Sequence, residues 1–288
     1  MPTLKEIKAR IGSVQRTLKI TSVMKMVASA KFHRMQAAAK AHTLYYQQLA
    51  DIMQAVCASP KVVSAHPLTT VHATKQRAVI LAFASSNSLC GRFNANAIKA
   101  LETEVKQLKG DGYEDVAVVS IGDKMRQAVT KGRYETDSQV QALVGKEALD
   151  AVPVLAAALA EQYASGQTDR VVMVYNHFRS MGHQEVLSET LLPMTLSAGE
   201  ETEQPQPDYI FEPDPIRLMS SLLPVVLNAR LRNVCLDTAM AEHAARTVAM
   251  QTATDNAQEL LDELSLSYNK QRQQAITDEL ADITQGKE

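Results

Sequence analysis

The sequence predicts an α/β fold: a central α/β domain with a mostly parallel sheet, flanked by long N- and C-terminal helices that pair as an antiparallel coiled coil. Three observations predict it. Two stretches, Ser13 to Ser59 and Val225 to Gln285, run 47 and 61 residues without a Gly or Pro. Each carries a narrow apolar seam at alternating three- and four-residue spacing. Between them, short apolar runs alternate with helical stretches, and nine of the eleven glycines lie between Gly91 and Gly199.

The first helix announces its own start. Thr3 followed by Glu6 is a capping box, in which each side chain accepts from the other residue's backbone N–H. Leu4, Ile7, Ile11, Val14 and Leu18 then repeat every 3.5 residues on average. At Thr21 and Lys25 the seam degrades, and Ile20, Val23, Met24 and Val27 are expected to begin a displaced one. Because Gly and Pro cost a helix interior about 1 and 3 kcal/mol, their absence permits very long helices. At 1.5 Å per residue the two stretches could reach about 70 and 90 Å.

The C-terminal stretch mirrors the first. Leu227, Leu231 and Val234 open a seam, and an alanine-rich middle follows (Ala239, Ala241, Ala244, Ala245, Ala249, Ala253, Ala257). Leu260 with Leu264, then Ile276, Leu280 and Ile283, are expected to continue it. The competing arrangement is two separate helices lying on a large domain, but such helices usually show a wider apolar face. The segments expected are 1–59 for the first coiled-coil helix, 75–205 for the central α/β domain and 215–288 for the second helix.

In the middle, Ala78 to Phe83, Val116 to Ile121 and Val171 to Tyr175 read as buried parallel strands, each bounded by turn or charged residues. Helices are expected around Asn94 to Leu108 and Glu147 to Ala164, the second stopping at Ser165-Gly166. Glu185 to Pro193 is a candidate further strand. The alternation argues for a Rossmann-like domain. Ala198 to Pro215 reads as an extended linker, with Asp214-Pro215 as cap and first-turn pair for the last helix.

A search for chemistry comes back empty. There is no GxxxxGK[ST] loop, no GxGxxG after a strand, no GxSxG and no HExxH. The expectation is therefore no catalytic residue, no cofactor-binding residue, no metal ligand and no cofactor. His177 and His183, with Gly182 between them, read as a surface loop, and Cys90-Gly91 as a buried thiol at a tight turn. Cys57, Cys90 and Cys235 lie far apart and suggest neither a disulfide framework nor a zinc site. No apolar run approaches the ~18–20 residues a bilayer crossing needs. The opening residues have neither a signal-peptide apolar core nor a transit-peptide bias, so a protein of the cytoplasm is expected.

The net charge of −2 excludes wholesale nucleic-acid coating but conceals an asymmetry. Residues 1 to 50 hold nine Lys or Arg against one acid, Glu6, whereas residues 255 to 288 hold eight acids against three bases. A solvated helix face, a nucleic-acid arm and a cationic shaft inside an acidic protein sleeve are all compatible with that run. The second needs aromatic or amide readers or a recognised module, and none is present.

Several blocks carry a family resemblance. Ile7-Lys8-Ala9-Arg10-Ile11-Gly12-Ser13-Val14, Lys19-Ile20-Thr21 and Met24-Lys25-Met26-Val27-Ala28 open the chain. Leu89-Cys90-Gly91 with Phe93-Asn94, and Tyr209-Ile210-Phe211-Glu212-Pro213-Asp214-Pro215, follow. Near the end stand Glu242-His243-Ala244-Ala245-Arg246, Ala253-Thr254-Asp255-Asn256-Ala257 and Tyr268-Asn269-Lys270-Gln271-Arg272-Gln273. In this order, over essentially the whole chain, they resemble the gamma subunit of F-type, proton-translocating ATP synthases of the bacterial type. The chain departs from that pattern at Arg92, where a second glycine is usual, and at Ser85-Ser86-Asn87-Ser88, where Asp and Gly are usual.

The resemblance implies a non-catalytic central-stalk rotor that couples proton flow to ATP synthesis or hydrolysis on the beta subunits by turning inside the alpha/beta ring. Implied partners are alpha and beta subunits, the epsilon subunit and the c-ring of the membrane sector, with no nucleic acid and no direct membrane insertion. The implied location is the cytoplasmic face of the bacterial inner membrane, peripheral through the complex. By motif, Met24, Lys25, Arg246, Gln273, Gln274, Ile276, Leu280 and Ile283 would meet the ring, the last three in an apolar collar. Tyr209, Glu212 and Asp214 would meet epsilon or the c-ring. Plain packing or solvation is the alternative for each. The rival functions are a nucleic-acid-handling protein with a basic helical arm, and an α/β enzyme with a dimerising coiled coil.

Overall fold

The computed structural model describes residues 3–56, 66–144, 148–195, 212 and 214–285. In chain order the elements are α1 (Leu4–Val56), a 3₁₀ turn (Pro67–Thr69), β1 (Arg77–Phe83), α2 (Phe93–Gly110), β2 (Asp115–Ile121), α3 (Asp123–Gly132), α4 (Ser138–Leu143), α5 (Ala148–Ala164), β3 (Arg170–Ser180), β4 (His183–Leu192) and α6 (Pro215–Gln285). The chain divides into two compact units, Met1–Ala30 with Arg246–Glu288, and Lys31–Ala245.

The second unit is built on a four-stranded sheet of order β2-β1-β3-β4, parallel except for β4, which returns antiparallel along β3. Side chains alternate across the sheet, and both faces are covered, which is why the strands read as continuous apolar runs. Val79, Leu81, Phe83, Val119, Val171 and Met173 pack on one side against Leu49, Met53 and Val56 of α1, Val152, Leu155 and Leu159 of α5, and Met219, Leu223, Leu227 and Leu231 of α6. Ala78, Ile80, Val116, Val118, Val172 and Val174 pack on the other against Ala97, Leu101, Val105 and Leu108 of α2 and Met125 and Val129 of α3.

One glycine is required by this layering. Gly122 joins β2 to α3 at φ 95, and a Cβ there would stand 2.0 Å from the Ala84 carbonyl oxygen. Beneath the sheet's other end, Asp169 clasps the strand starts. It accepts from Thr74 Oγ1 (2.7 Å) and from the backbone N–H groups of Gln76 (2.8 Å) and Arg77 (3.0 Å), with His72 Nδ1 at 3.2 Å. His72 in turn stacks on Tyr163, ring centroids 4.4 Å apart. Burial pushes the Asp169 carboxyl up, but these hydrogen bonds outweigh it and hold it below its ordinary value.

Several expectations are corrected. The His177–His183 segment is not a loop but a β-hairpin, because Phe178 to Ser180 continue β3 into pairing with β4. The candidate strand at Glu185 begins two residues earlier, at His183, and ends at Leu192. Helices α3 and α4 have no counterpart in the sequence reading; α3 buries only Met125 and Val129, too few to make a periodic pattern. Helix α6 also runs through Pro224, ahead of the Pro-free stretch, although Pro224 has no N–H to offer the Ser220 carbonyl. Glu147, Cys57 and the Ala198 linker segment up to Phe211 lie outside the described residues.

Candidate site: the paired helices

In the first unit the capping box forms as the residue types demand: Thr3 N–H donates to Glu6 Oε2 (2.7 Å) and Glu6 N–H to Thr3 Oγ1 (3.3 Å). Leu4, Ile7, Ile11, Val14 and Leu18 are the covered positions of the first turns. The displaced seam does not form. Coverage continues in the same 3.5-residue register through Thr21, Lys25 and Ala28, while Ile20, Val23 and Val27 face outward, 60 %, 59 % and 51 % exposed.

The physical reason lies on the facing helix. The hydroxyls of Thr21 and Thr254 are 2.9 Å apart, and Lys25 Nζ donates to Gln251 Oε1 at 2.9 Å. Gln251 Nε2 continues the chain to Asp255 Oδ1 (2.7 Å). Advancing along α1 from Thr21 to Lys25 moves the partner back from Thr254 to Gln251, so the helices run antiparallel. Short hydroxyl and methyl side chains, Thr21 with Ala28 and Ala257, keep this seam narrow.

On α6 the covered positions are Met250, Thr254, Ala257, Leu261, Leu264 and Tyr268. Leu261 therefore takes the seam place expected for Leu260, which stands outside it. Seventeen residues back from Thr21 is Leu4, and the same step along the antiparallel partner reaches Gln271. From Arg272 onward α6 has no α1 residue level with it. Ile276, Leu280 and Ile283 lie in that segment, off the seam, 48 %, 58 % and 63 % exposed. Spaced by four and three, they form one apolar stripe.

The remaining sequence-derived residues fall in different settings. Met24 is half-buried beside the seam. Arg246 is buried, at 9 % exposure. Gln273 and Gln274 are exposed, and Gln274 Nε2 donates to Asp278 Oδ1 (2.9 Å). Asp214 caps α6, accepting from the N–H groups of Ile216 and Arg217, both at 3.0 Å. Glu212 is exposed, and Tyr209 lies outside the described residues.

The second unit adds a pairing that sequence reasoning missed. His177 Nδ1 on β3 hydrogen-bonds Asp237 on α6, and the Phe178 N–H donates to the same carboxylate at 3.1 Å. Burial raises the Asp237 pKa despite those two bonds. Nothing near Asp237 in the sequence signals a partner 60 residues away. After β1, Ser85, Cys90 and Asn94 form a buried knot in which Asn94 Nδ2 lies 3.2 Å from Cys90 Sγ. The knot presents Leu89 to solvent at a left-handed φ of 69, a costly conformation for a bulky residue. The Leu89-Cys90-Gly91 triplet was the available signal.

Burial pushes the Cys235 thiol up to about 12, so it is inert. Among the described residues no three His, Cys, Asp or Glu side chains converge to hold a metal, and no helix is long and apolar enough to cross a membrane.

Comparison with known proteins identifies the family. A family described as ATP synthase matches residues 3–288. The ATP synthase gamma chain of Bacteroides fragilis is 43 % identical over 289 residues, covering 99 % of both chains. Among solved structures, a chain of the Euglena gracilis mitochondrial ATP synthase, determined with OSCP, F1 and c-ring, is similar in fold. It has a TM-score of 0.61 at 18 % identity and covers 98 % of this chain and 93 % of its own. A chain from the central stalk and c-ring of the Tetrahymena thermophila enzyme has a TM-score of 0.56 at 19 % identity, covering 81 % and 99 %. A sequence match along almost the entire length, at an identity well above that needed to define kinship, means that this chain belongs to the family of ATP synthase gamma chains.

Proposed function

We propose that this chain is the central-stalk rotor of an F-type ATP synthase, non-catalytic in itself, turning inside the alpha/beta ring and attached to the c-ring and epsilon at its foot. The observation that carries the reading is the inverted seam. Thr21, Lys25 and Ala28 are covered, while Ile20, Val23 and Val27, and beyond the paired region Ile276, Leu280 and Ile283, are turned outward. Apolar stripes of this kind mark surfaces that another protein covers.

A rotor must avoid deep energy wells, and a smooth apolar stripe supplies shallow, undirected attraction. It drives the ring only to the extent that it interacts differently with the ring's alternative states. Ile276, Leu280 and Ile283 act as the bearing at the ring's apolar collar. Gln273 and Gln274 adjoin that stripe and Met24, Lys25 and Arg246 lie further along the shaft, all five meeting the ring. The segments are 1–59 and 215–288 for the shaft and 75–205 for the body, with Tyr209, Glu212 and Asp214 toward epsilon or the c-ring. The complex holds the chain peripherally at the cytoplasmic face of a bacterial inner membrane.

The test is reconstitution. With this chain the assembled complex couples ATP hydrolysis to proton pumping, and the purified chain alone neither turns over ATP nor binds RNA in a salt-sensitive manner. ATP turnover by the purified chain contradicts the proposal.

A further inference from the structure

The sheet's N-terminal edge holds a polar cavity of about 360 Å³ that the rotor reading does not use. It lies where β1 and β2 begin and where the turn after α5 enters β3, lined by Arg77, Asp115, Glu135, Asp137, Gln162 and Thr168.

Asp137 is fully engaged: it accepts from Arg77 Nη2 (2.9 Å), Gln162 Nε2 (3.2 Å) and the Val140 N–H (3.0 Å). The other groups are not. Asp115 Oδ1, Gln162 Oε1 and Thr168 Oγ1 are buried and hydrogen-bond nothing, while Arg77 Nε lies against Asp115 Oδ2 at 3.4 Å, and all four residues line this one cavity. Thr168 is 1 % exposed, so bulk water does not serve its hydroxyl. Buried polar atoms normally find partners, and three orphans around one void signal a missing guest.

The chemistry of the orphans selects that guest. Two are pure acceptors, Asp115 Oδ1 and Gln162 Oε1, and Thr168 can accept as well. Arg77 is shared between Asp137 (Nη2, 2.9 Å) and Asp115 (Nε to Oδ2, 3.4 Å), so with Glu135 three carboxyls face one guanidinium. The hydrogen bond to Asp115, then the Asp115 charge, raises the Glu135 pKa, the signature of two carboxyls competing for one proton. No three metal-ligating side chains converge among the described residues, so a bare metal ion is not matched. A guest with several N–H donors and a positive charge is.

We propose that this cavity binds a small primary ammonium compound, its N–H groups donating to Asp115 Oδ1, Gln162 Oε1 and Thr168 Oγ1. Ethanolamine is a small, soluble member of that class.

The test is calorimetric titration of the full chain with ethanolamine. Two controls are ethylene glycol, which lacks the charge, and tetramethylammonium, which lacks the N–H donors. Saturable one-to-one binding of ethanolamine is expected, with both controls at least about tenfold weaker. Asp115→Asn should weaken binding about tenfold or more, and Thr168→Val several-fold, with the melting temperature confirming that each variant folds. The ligand series decides the matter on the wild-type chain even where a variant is unstable. Absence of saturable heat, equal binding of tetramethylammonium, or a folded Asp115→Asn variant that binds ethanolamine as well as wild type would each overturn the proposal and leave a cavity filled by water.

Discussion

Thr21 on α1 and Thr254 on α6 place their hydroxyls 2.9 Å apart, one seam position from the hydrogen bond between Lys25 and Gln251. This polar stretch sets the register of the paired helices. Thr21→Val keeps the volume and loses the bond, while Thr254 retains its link to the Met250 carbonyl at 2.7 Å. A loss of about 1 kcal/mol is expected. Thr21→Leu, which overfills a seam kept narrow by Ala257, should cost about 1–3 kcal/mol. Chemical denaturation of the full chain checks both values, and a Leu variant more stable than wild type would count against the close seam.

Gly122→Ala tests the joint between β2 and α3. The added methyl would meet the Ala84 carbonyl oxygen at 2.0 Å, at a φ of 95 that L-residues avoid. Because the obstacle is backbone, no side chain can swing away. Destabilisation by about 2–4 kcal/mol is expected. A melting temperature within a degree or so of wild type would mean that the strand-to-helix turn relaxes freely.

Asp169→Asn tests the clasp at the strand starts. The folded-state pKa of Asp169 is lowered from the ordinary 3.8, so its stabilisation is present in full above that value and is lost as pH falls through the lower, folded one. The Asn variant should lose about 2–3 kcal/mol near neutral pH, because an amide presents N–H where backbone donors point. It should lose less as pH falls through that lowered folded-state value, where wild type itself becomes protonated. Parallel stability curves for the two proteins across that acid range would refute the charge-based role.

Replacing Ile276, Leu280 and Ile283 together by Ser tests the bearing. All three are exposed, so the chain's own stability should change by less than about 0.5 kcal/mol. In the assembled complex, proton pumping per ATP hydrolysed should fall, or assembly should weaken, without a change in nucleotide affinity of isolated beta. Unaltered coupling and assembly would remove the stripe from the mechanism.

Much of the architecture was legible because a few residues carried physical instructions that no packing overrode. Thr3 and Glu6 could cap only a helix start, Asp214 with Pro215 could only open another, and the runs of β1, β2 and β3 were too continuous for a one-sided strand. The seam from Leu4 to Leu18 was readable for the same reason. It became unreadable at Thr21 and Lys25, where covered positions are polar and exposed ones apolar. Pattern reading assigns apolar residues to the chain's own core, and at Ile20, Val23 and Val27 that assumption fails. Local rules tend to fail at functional surfaces. Long-range pairs such as His177 with Asp237 left no local trace, since neither residue's neighbours depend on the other. For the ring-contact residues, the sequence offered motif positions, and the structure adds which are exposed, namely Gln273, Gln274, Ile276, Leu280 and Ile283, and which are buried, namely Arg246.

The rotor claim is tested most directly by watching the chain move in an assembled complex whose alpha/beta ring is immobilised. Cys90 and Cys235 are buried, so with Cys57 replaced by Ser a probe attaches selectively to Lys106→Cys, an exposed position on α2. On addition of ATP the probe should turn continuously in one direction, at a rate that tracks hydrolysis. Sustained ATP turnover by the ring with the probe stationary would contradict the account.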